Sequence, residues 1–368
     1  MLDSSLVSQV SSFMEEFIMA EKKYKVGLIG CGGMGNSHAG VFKNNPRTEL
    51  VAVADINADS AKNLAEKLAV PNYYTDRKEM FKNEELDILA ITTWQSVRAE
   101  IALDAIENTN IVGMLGEKPM CASLGEAQDM LSACDKKGVK LVIGHQRRFS
   151  AQNTEARKLI QEGAIGIPQV MMRRDGLGLL NRGTHEIDEM MYILGDPKAL
   201  WVIGQTSRET DKWERRVRCE DLCMGLICFE GGIRGIYESD LPKPDLRGDV
   251  VYGSEGTLKR GEKGTIMLLN NKATDWQVIS PRANETNQHE EFLDWLDGKV
   301  DSHRGDGHIA IKTMEIMMAI YESLRIKNVV MLPLQTRENP LDLMVEDGTL
   351  SVKNPGRYDI RAPFPEQK

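Results

Sequence analysis

Several things are scarce in this sequence, and each scarcity removes a class of protein. The six cysteines show neither CxxC pairing nor zinc-like spacing, which argues against a metal cluster and for a reducing compartment. No run of about 18 apolar residues occurs, so no membrane-spanning helix is expected. Positive charge is in deficit: 46 Lys and Arg face 55 Asp and Glu, a formal net charge of −9. Nucleic acid and anionic membrane surfaces both need a cationic face, so neither is an expected partner. The basic run KWERRVR at 212–218 has acids beside it and reads as a solvated face. Low-complexity tracts are missing. The stretch 1–20 has no Lys or Arg, unlike a secretory signal, and 1–22 reads as a mobile leader. The cytoplasm is the expected location.

What is present is the composition of a globular protein, 41% hydrophobic and 27% charged over 368 residues, long enough for two domains. The apolar run YKVGLIG (24–30) reads as a buried parallel strand. It runs into GCGGMG, which sets Gly30, Gly32 and Gly35 in the GxGxxG pattern, with Gly33 and Met34 between them and helix-like NSHAGVFKN behind. A second apolar run, LVAVAD, ends in Asp55, 20 residues beyond Gly35. That is the arrangement of a dinucleotide site. Gly30 permits the tight turn, Gly32 lets the backbone approach a pyrophosphate, and Gly35 lets helix and strand pack closely. The helix N-terminus offers N–H groups to phosphate. Asp55 is suited to the ribose hydroxyls and repels a 2′-phosphate, and Ile56 follows it rather than an arginine, so the expected cofactor is NAD.

Strand-like and helix-like stretches then alternate. LDILAITT (86–93), NIVGMLGEKP and VKLVIGHQ read as strands, with helices SAKNLAEKLAV, RAEIALDAIEN and LGEAQDMLSACDKKG between. Repeated βα units predict a doubly wound parallel sheet, with ligands at the carboxyl ends of its strands. TTWQ (92–95) and GEKP (116–119) fall at such ends and are expected to face the cofactor. Further on, LLNRGTHEID (179–188) holds Asn181, His185 and Asp188 at spacings that stack them on one side of a helical turn. Alone, this stretch does not separate a structural histidine from a proton-handling one.

At GEKPM the chain resembles the glucose–fructose oxidoreductase/inositol dehydrogenase (Gfo/Idh/MocA) family. GLIGCGGMG, EKPM, GHQRRFS, LLNRGTHEID with ILGDP, VYGSEGTL and AIYESLRIKNVVMLP carry the resemblance in order, from about residue 24 to 334. It implies a Rossmann domain at 23–148 and a substrate and oligomerisation domain at 149–334, an α/β unit with a large, mostly antiparallel open sheet. The residues agree: KALWVIGQTS, EDLCMGLICFE, GIRGIYESD, DVVYGSEGTLKR and TIMLLN are strand-like, while NQHEEFLDWLDG and AIKTMEIMMAIYESLRIK are helical. The methionine stripe in the last reads as core. An open sheet face predicts self-association, and similar proteins form dimers or tetramers.

The resemblance also implies roles. Lys118 matches the EKP lysine beside the nicotinamide and the reacting hydroxyl, before a proline, Pro119, that is often cis. Glu117 and Thr93 would join the cofactor site. His185 matches the family's usual general base, which the lysine cation would keep neutral. Asn181 stands where the family has an aspartate, so a negative charge is expected to be missing. The amide can bond a sugar hydroxyl but cannot take a proton. The loop reading T-P-N-x-x-H in the family is Thr93-Trp94-Gln95 followed by Arg98, and Trp94 is a candidate for stacking on substrate or cofactor. Arg148 matches the family's arginine after the last Rossmann strand and is a candidate to bind substrate hydroxyls or a carboxylate, with a structural salt bridge as its alternative. Arg173, Arg174 and Asp175 fall where relatives have substrate-facing residues. The expected activity is NAD-dependent oxidation of a secondary hydroxyl of a sugar, cyclitol or glycoside. Redox-neutral glycoside cleavage with retained NAD, and a redox-inactive NAD-binding sensor, are the alternatives. The tail 335–368 shows no pattern; it is expected to wrap a neighbouring subunit or to be loosely ordered.

Overall fold

The structure is a computed structural model that describes residues 23–174, 178–239, 249–284 and 286–364. The leader 1–22, Asp175 and the last four residues lie outside the described residues. The chain divides into two compact units, one holding residues up to Thr92 with 108–112, the other 93–107 and 113 onward.

The first unit is built on β1 (Tyr24–Ile29), β2 (Thr48–Ala54), β3 (Asn72–Tyr74) and β4 (Ile88–Ile91), with α1 (Gly33–Asn44), α2 (Ala58–Leu68) and α3 (Arg77–Asn83) between them. Its strands are parallel, and β1, the second half of β2 and β4 read as continuous apolar runs because both faces are covered. Val26, Leu28, Ala52, Val53, Ile88 and Leu89 are fully buried. In the second unit, α4 (Gln95–Asn108), β5 (Gly113–Gly116), α5 (Leu124–Lys137) and β6 (Lys140–Ile143) continue the alternation. Ser123 and Glu126 start α5 with a reciprocal capping box. The parallel strands run in the order β3-β2-β1-β4-β5-β6, the expected doubly wound sheet.

After α6 (Ala151–Gln161) comes β7 (Pro168–Arg174), then a π turn at Leu179–Gly183 that leads into α7 (Thr184–Ile193). The strands β8 (Ala199–Ser207), β9 (Thr210–Glu214), β10 (Val217–Arg218), β11 (Leu222–Phe229), β12 (Arg234–Glu238), β13 (Asp249–Gly253), β14 (Gly256–Arg260), β15 (Ile266–Asn270) and β16 (Gln277–Ile279) follow. Helices α8 (Gln288–Leu296) and α9 (Gly307–Ile326), strand β17 (Val330–Met331), helix α10 (Pro340–Glu346) and strand β18 (Asn354–Asp359) complete the described chain. Nine strands form one mixed sheet, ordered β16-β15-β14-β13-β7-β12-β11-β8-β17, in which β7 and β12 run parallel. The stretch expected as one strand, DVVYGSEGTLKR, is the hairpin β13–β14.

Helix α9 packs on one face of this sheet over β8, β11 and β17. It approaches so closely that a Cβ on Gly204 would lie 2.3 Å from the Ile320 carbonyl oxygen, which is why β8 carries glycine there. Met314, Met317 and Met318 are buried in that contact, as core residues. The opposite face leaves Ile203, Leu222, Met224 and Met331 exposed.

One expectation fails here. The charge run at 212–218 is not a solvated face but the hairpin β9–β10: Lys212 and Glu214 are buried, Glu214 accepts from Asn181, and Arg218 pairs with Asp342. In the described part of the tail, β18 adds to β9 in a small sheet, β10-β9-β18.

Candidate active site

In the first unit, the turn after β1 is built as the glycine spacing requires. Gly30 has φ 100°, a conformation that side chains disfavour, and its N–H donates to the Ala54 carbonyl at 2.8 Å. A Cβ on Gly35 would sit 1.9 Å from the Gly30 carbonyl oxygen, so only glycine lets α1 pack against this turn. Gly32 and Gly33 are different: a Cβ on either would meet nothing within 4 Å. No side chain caps the start of α1, and no acid stands in its first turn. Met34 is partly exposed beside them.

The Asp55 carboxylate accepts from the Cys31 N–H at 2.7 Å through one oxygen and from the Asn57 N–H at 2.8 Å through the other. It is thereby fixed at the end of β2, while Ile56 is 96% exposed and brings no cation. Open space over Gly32 and Gly33, uncapped N–H groups and a fixed carboxylate fit a dinucleotide with a free 2′-hydroxyl. Gly30, Gly32, Gly33, Met34, Gly35 and Asp55 are the residues of this unit that would hold it.

The second unit holds Lys118 and His185, the residues expected to handle the proton. Lys118 follows β5 and its peptide bond to Pro119 is cis. Its Nζ donates to Asn181 twice, to Oδ1 at 3.1 Å and to the main-chain oxygen at 3.2 Å. Burial is the main reason that its pKa falls from the ordinary 10.5 to about 8; Arg215 and Arg147 add to the fall, and Glu117 and Glu214 oppose it. Arg98, which replaces the family histidine, is buried and donates to the carbonyls of Thr93, Pro119 and Met120. It thus clamps the loop that carries Lys118. Glu117 is buried at the end of β5, with its carboxylate accepting from the Lys118 N–H at 3.2 Å.

His185 lies in the first turn of α7 and is 7% exposed. Its Nδ1 is buried without a hydrogen-bond partner among the described residues, so no protein group there fixes its tautomer. Burial, then the Lys118 cation and Arg147, push its pKa down to about 2, and the imidazole is neutral through the working range. The expected stacking of Asn181, His185 and Asp188 is not what forms. The π turn takes Asn181 to Lys118, whereas the Asp188 carboxylate accepts from Arg148 Nε at 2.9 Å and lies 3.2 Å from His145 Nδ1.

Arg148 is 1% exposed and occupied by Asp188 and Asp196, the salt-bridge alternative. Arg173 is likewise buried among Glu186, Glu189 and Asp249. Arg174 pairs with Glu238 at 3.2 Å. Trp94 is 43% exposed, and Thr93 Oγ1 is buried without a partner among the described residues.

Two residues escaped the sequence reading. His145 is buried, with Nε2 3.1 Å from Thr184 Oγ1, one residue from His185. Glu214 on β9 accepts from Asn181 Nδ2 at 2.6 Å. A carboxylate therefore stands behind the Asn181 amide.

Residues 24–145 match the model of an oxidoreductase family with an NAD-binding Rossmann fold. An inositol 2-dehydrogenase of Rubrobacter xylanophilus is 30% identical over 266 residues, 67% of this chain and 72% of that one. The chain belongs to the Gfo/Idh/MocA oxidoreductase family. Aldose-aldose oxidoreductase from Caulobacter crescentus, crystallised with glycerol, has the same fold at a TM-score of 0.73, with 20% identity over 84% of this chain and 100% of that one. So does the WlbA dehydrogenase from Bordetella pertussis in complex with NADH and UDP-GlcNAcA, at 0.71, with 20% identity over 85% and 100%. As a Gfo/Idh/MocA protein it is an NAD-dependent oxidoreductase. No helix among the described residues is long and apolar enough to cross a membrane, and no group of three or more His, Cys, Asp or Glu among them could hold a metal ion.

Proposed function

We propose that the protein oxidises a secondary hydroxyl of a sugar, cyclitol or glycoside, with Lys118 and His185 handling the hydroxyl proton. The observation that carries this reading is the Lys118 amine, held on Asn181 with its pKa lowered to about 8, in the same unit as a buried, neutral imidazole. A proton acceptor works best when its pKa lies near the operating pH. Lys118 meets that condition and His185, at about 2, does not. Lys118 in its neutral form therefore takes the proton, and His185 accepts a hydrogen bond from the same hydroxyl and orients it. Bound NAD+ supplies the hydride acceptor. Asn181 and Trp94 contact the rest of the substrate, Asn181 through its amide and Trp94 through its exposed ring. Arg148 is left out, because its guanidinium is taken up by carboxylates. Thr93 and Glu117 complete the cofactor side with Lys118.

The exposed apolar face of the nine-stranded sheet supports a homodimer or homotetramer, with a second copy covering Ile203, Met224 and Met331. Light scattering on the purified protein tests that part. An NADH-absorbance screen across sugars, inositols and glycosides tests the chemistry. Absorbance that rises with at least one compound, and fails to rise with Lys118→Met, supports it. Silence for every compound, with NAD binding demonstrated, refutes it.

A further inference from the structure

Glu214 has no counterpart among the residues read from the sequence, yet its contacts tie it to Lys118. The Asn181 amide stands between the two. Its Oδ1 accepts from Lys118 Nζ at 3.1 Å and its Nδ2 donates to Glu214 Oε1 at 2.6 Å. An ammonium only donates and a carboxylate only accepts, so this orientation of the amide is the one that satisfies both neighbours. The carboxylate is 2% exposed, and a buried charge of this kind is retained only where it is paired.

The C-terminal strand holds it there. Parallel pairing sets Tyr358 against Lys212 and Asp359 against Trp213. The Asp359 carboxylate accepts from the N–H groups of Arg215 at 3.0 Å and Arg216 at 2.7 Å. Those two residues turn the β9–β10 hairpin with φ of 51° and 65°, directly after Glu214. From beyond β18, Arg361 Nε donates to Glu214 Oε1 at 3.3 Å.

We propose that Glu214, held by the C-terminal segment 354–361, is a positioning residue that supplies through Asn181 the negative charge that the family aspartate would carry. This rests on the reading of Lys118 as the proton-handling group. The charged and titratable groups that bear on Lys118 include Glu117, Glu214, Arg215, Arg147 and the imidazoles of His185 and His145. Glu214 is the one among them joined to it by a hydrogen-bonded amide. Exchanging the two groups, Asn181→Asp with Glu214→Gln, reverses the bridge and keeps one carboxylate and one amide.

The test is competitive acetylation of Lys118 against pH, read by mass spectrometry on the full-length protein without substrate. Glu214→Gln should move the Lys118 midpoint down by about one pH unit, and the exchanged double variant should bring it back to the wild-type value or above. With the substrate found in the NADH screen, Glu214→Gln should lower kcat/KM by roughly tenfold or more, and the double variant should recover most of the loss. A midpoint unmoved by Glu214→Gln in a protein with wild-type melting would overturn the proposal. So would a double variant whose kcat/KM is no better than that of Glu214→Gln alone. If Glu214→Gln does not fold, Asn181→Asp alone decides: it should raise the midpoint, and no change would overturn the proposal. The labelling needs no turnover, so its outcome stands apart from that of the dehydrogenase reading.

Discussion

Replacing Lys118 by methionine should make the protein more stable while it removes the activity. The amine titrates at about 8 rather than 10.5 because burial disfavours the ammonium. At roughly 1.4 kcal/mol per pH unit, holding it charged costs the native state about 3 kcal/mol when both folded and unfolded chains are protonated. Methionine removes that cost. It also removes the two hydrogen bonds to Asn181, worth about 1 kcal/mol together after exchange with water. The net gain at pH 7 is then about 2 kcal/mol, a few degrees in Tm. The folded pKa lies below the unfolded one, so the cost is complete below about pH 8 and vanishes as pH rises past 10.5. The stabilisation should shrink between those values and become a small loss at the top of the range. Denaturant melts of wild type and variant at pH 7 and pH 10 measure it, with NADH formation assayed in parallel. A variant no more stable than wild type at pH 7, or a gain that does not depend on pH, would refute the electrostatic reasoning.

The dinucleotide turn yields a contrast between two glycines. Gly35→Ala should abolish NAD binding and cost about 1–3 kcal/mol, since its Cβ would collide with the Gly30 carbonyl; Gly32→Ala meets no protein atom and should weaken NAD binding at unchanged stability, both read by calorimetry and melting. Asp55→Ser with Ile56→Arg should shift the NAD to NADP preference by roughly tenfold or more, as ratios of kcat/KM report. His185→Asn should lower kcat by about a hundredfold or more while NAD affinity stays as in wild type; an unchanged kcat would remove the imidazole from the mechanism. The kcat/KM of the wild type should rise with pH through about 8, as Lys118 loses its proton, and a profile flat from pH 6 to 9 would exclude it as the acceptor.

The dinucleotide turn was legible because its physics is local. A tight turn, a close helix and an acid at the end of the next strand all leave marks within one βαβ unit. The EKP loop was read from its resemblance to a family motif, and the helical stacking expected of Asn181, His185 and Asp188 gave way to a π turn. Glu214 could not, because its role depends on a strand pairing and a π turn that bring it to Asn181 from 33 residues away. The run KWERRVR misled because charges with distant partners look, in sequence, like charges facing water. Lys212 meets Asp221, and Arg218 meets Asp342 across 124 residues. Strand β18, NPGRYD, carries a proline and a glycine and is mostly exposed, so no alternation announces it. Arg98 was noticed as a departure from a family motif. That it clamps the carbonyls around Lys118 emerges only once the cis bond and the helix α4 are in place.

The most direct test of the central claim is isotope transfer. Once the screen has named a substrate, its carbon-bound hydrogens are replaced by deuterium and the nicotinamide product is weighed. One deuterium should appear in free NADH for each substrate oxidised, with Lys118→Met producing none. Substrate conversion with no deuterium ever reaching the nicotinamide would contradict it.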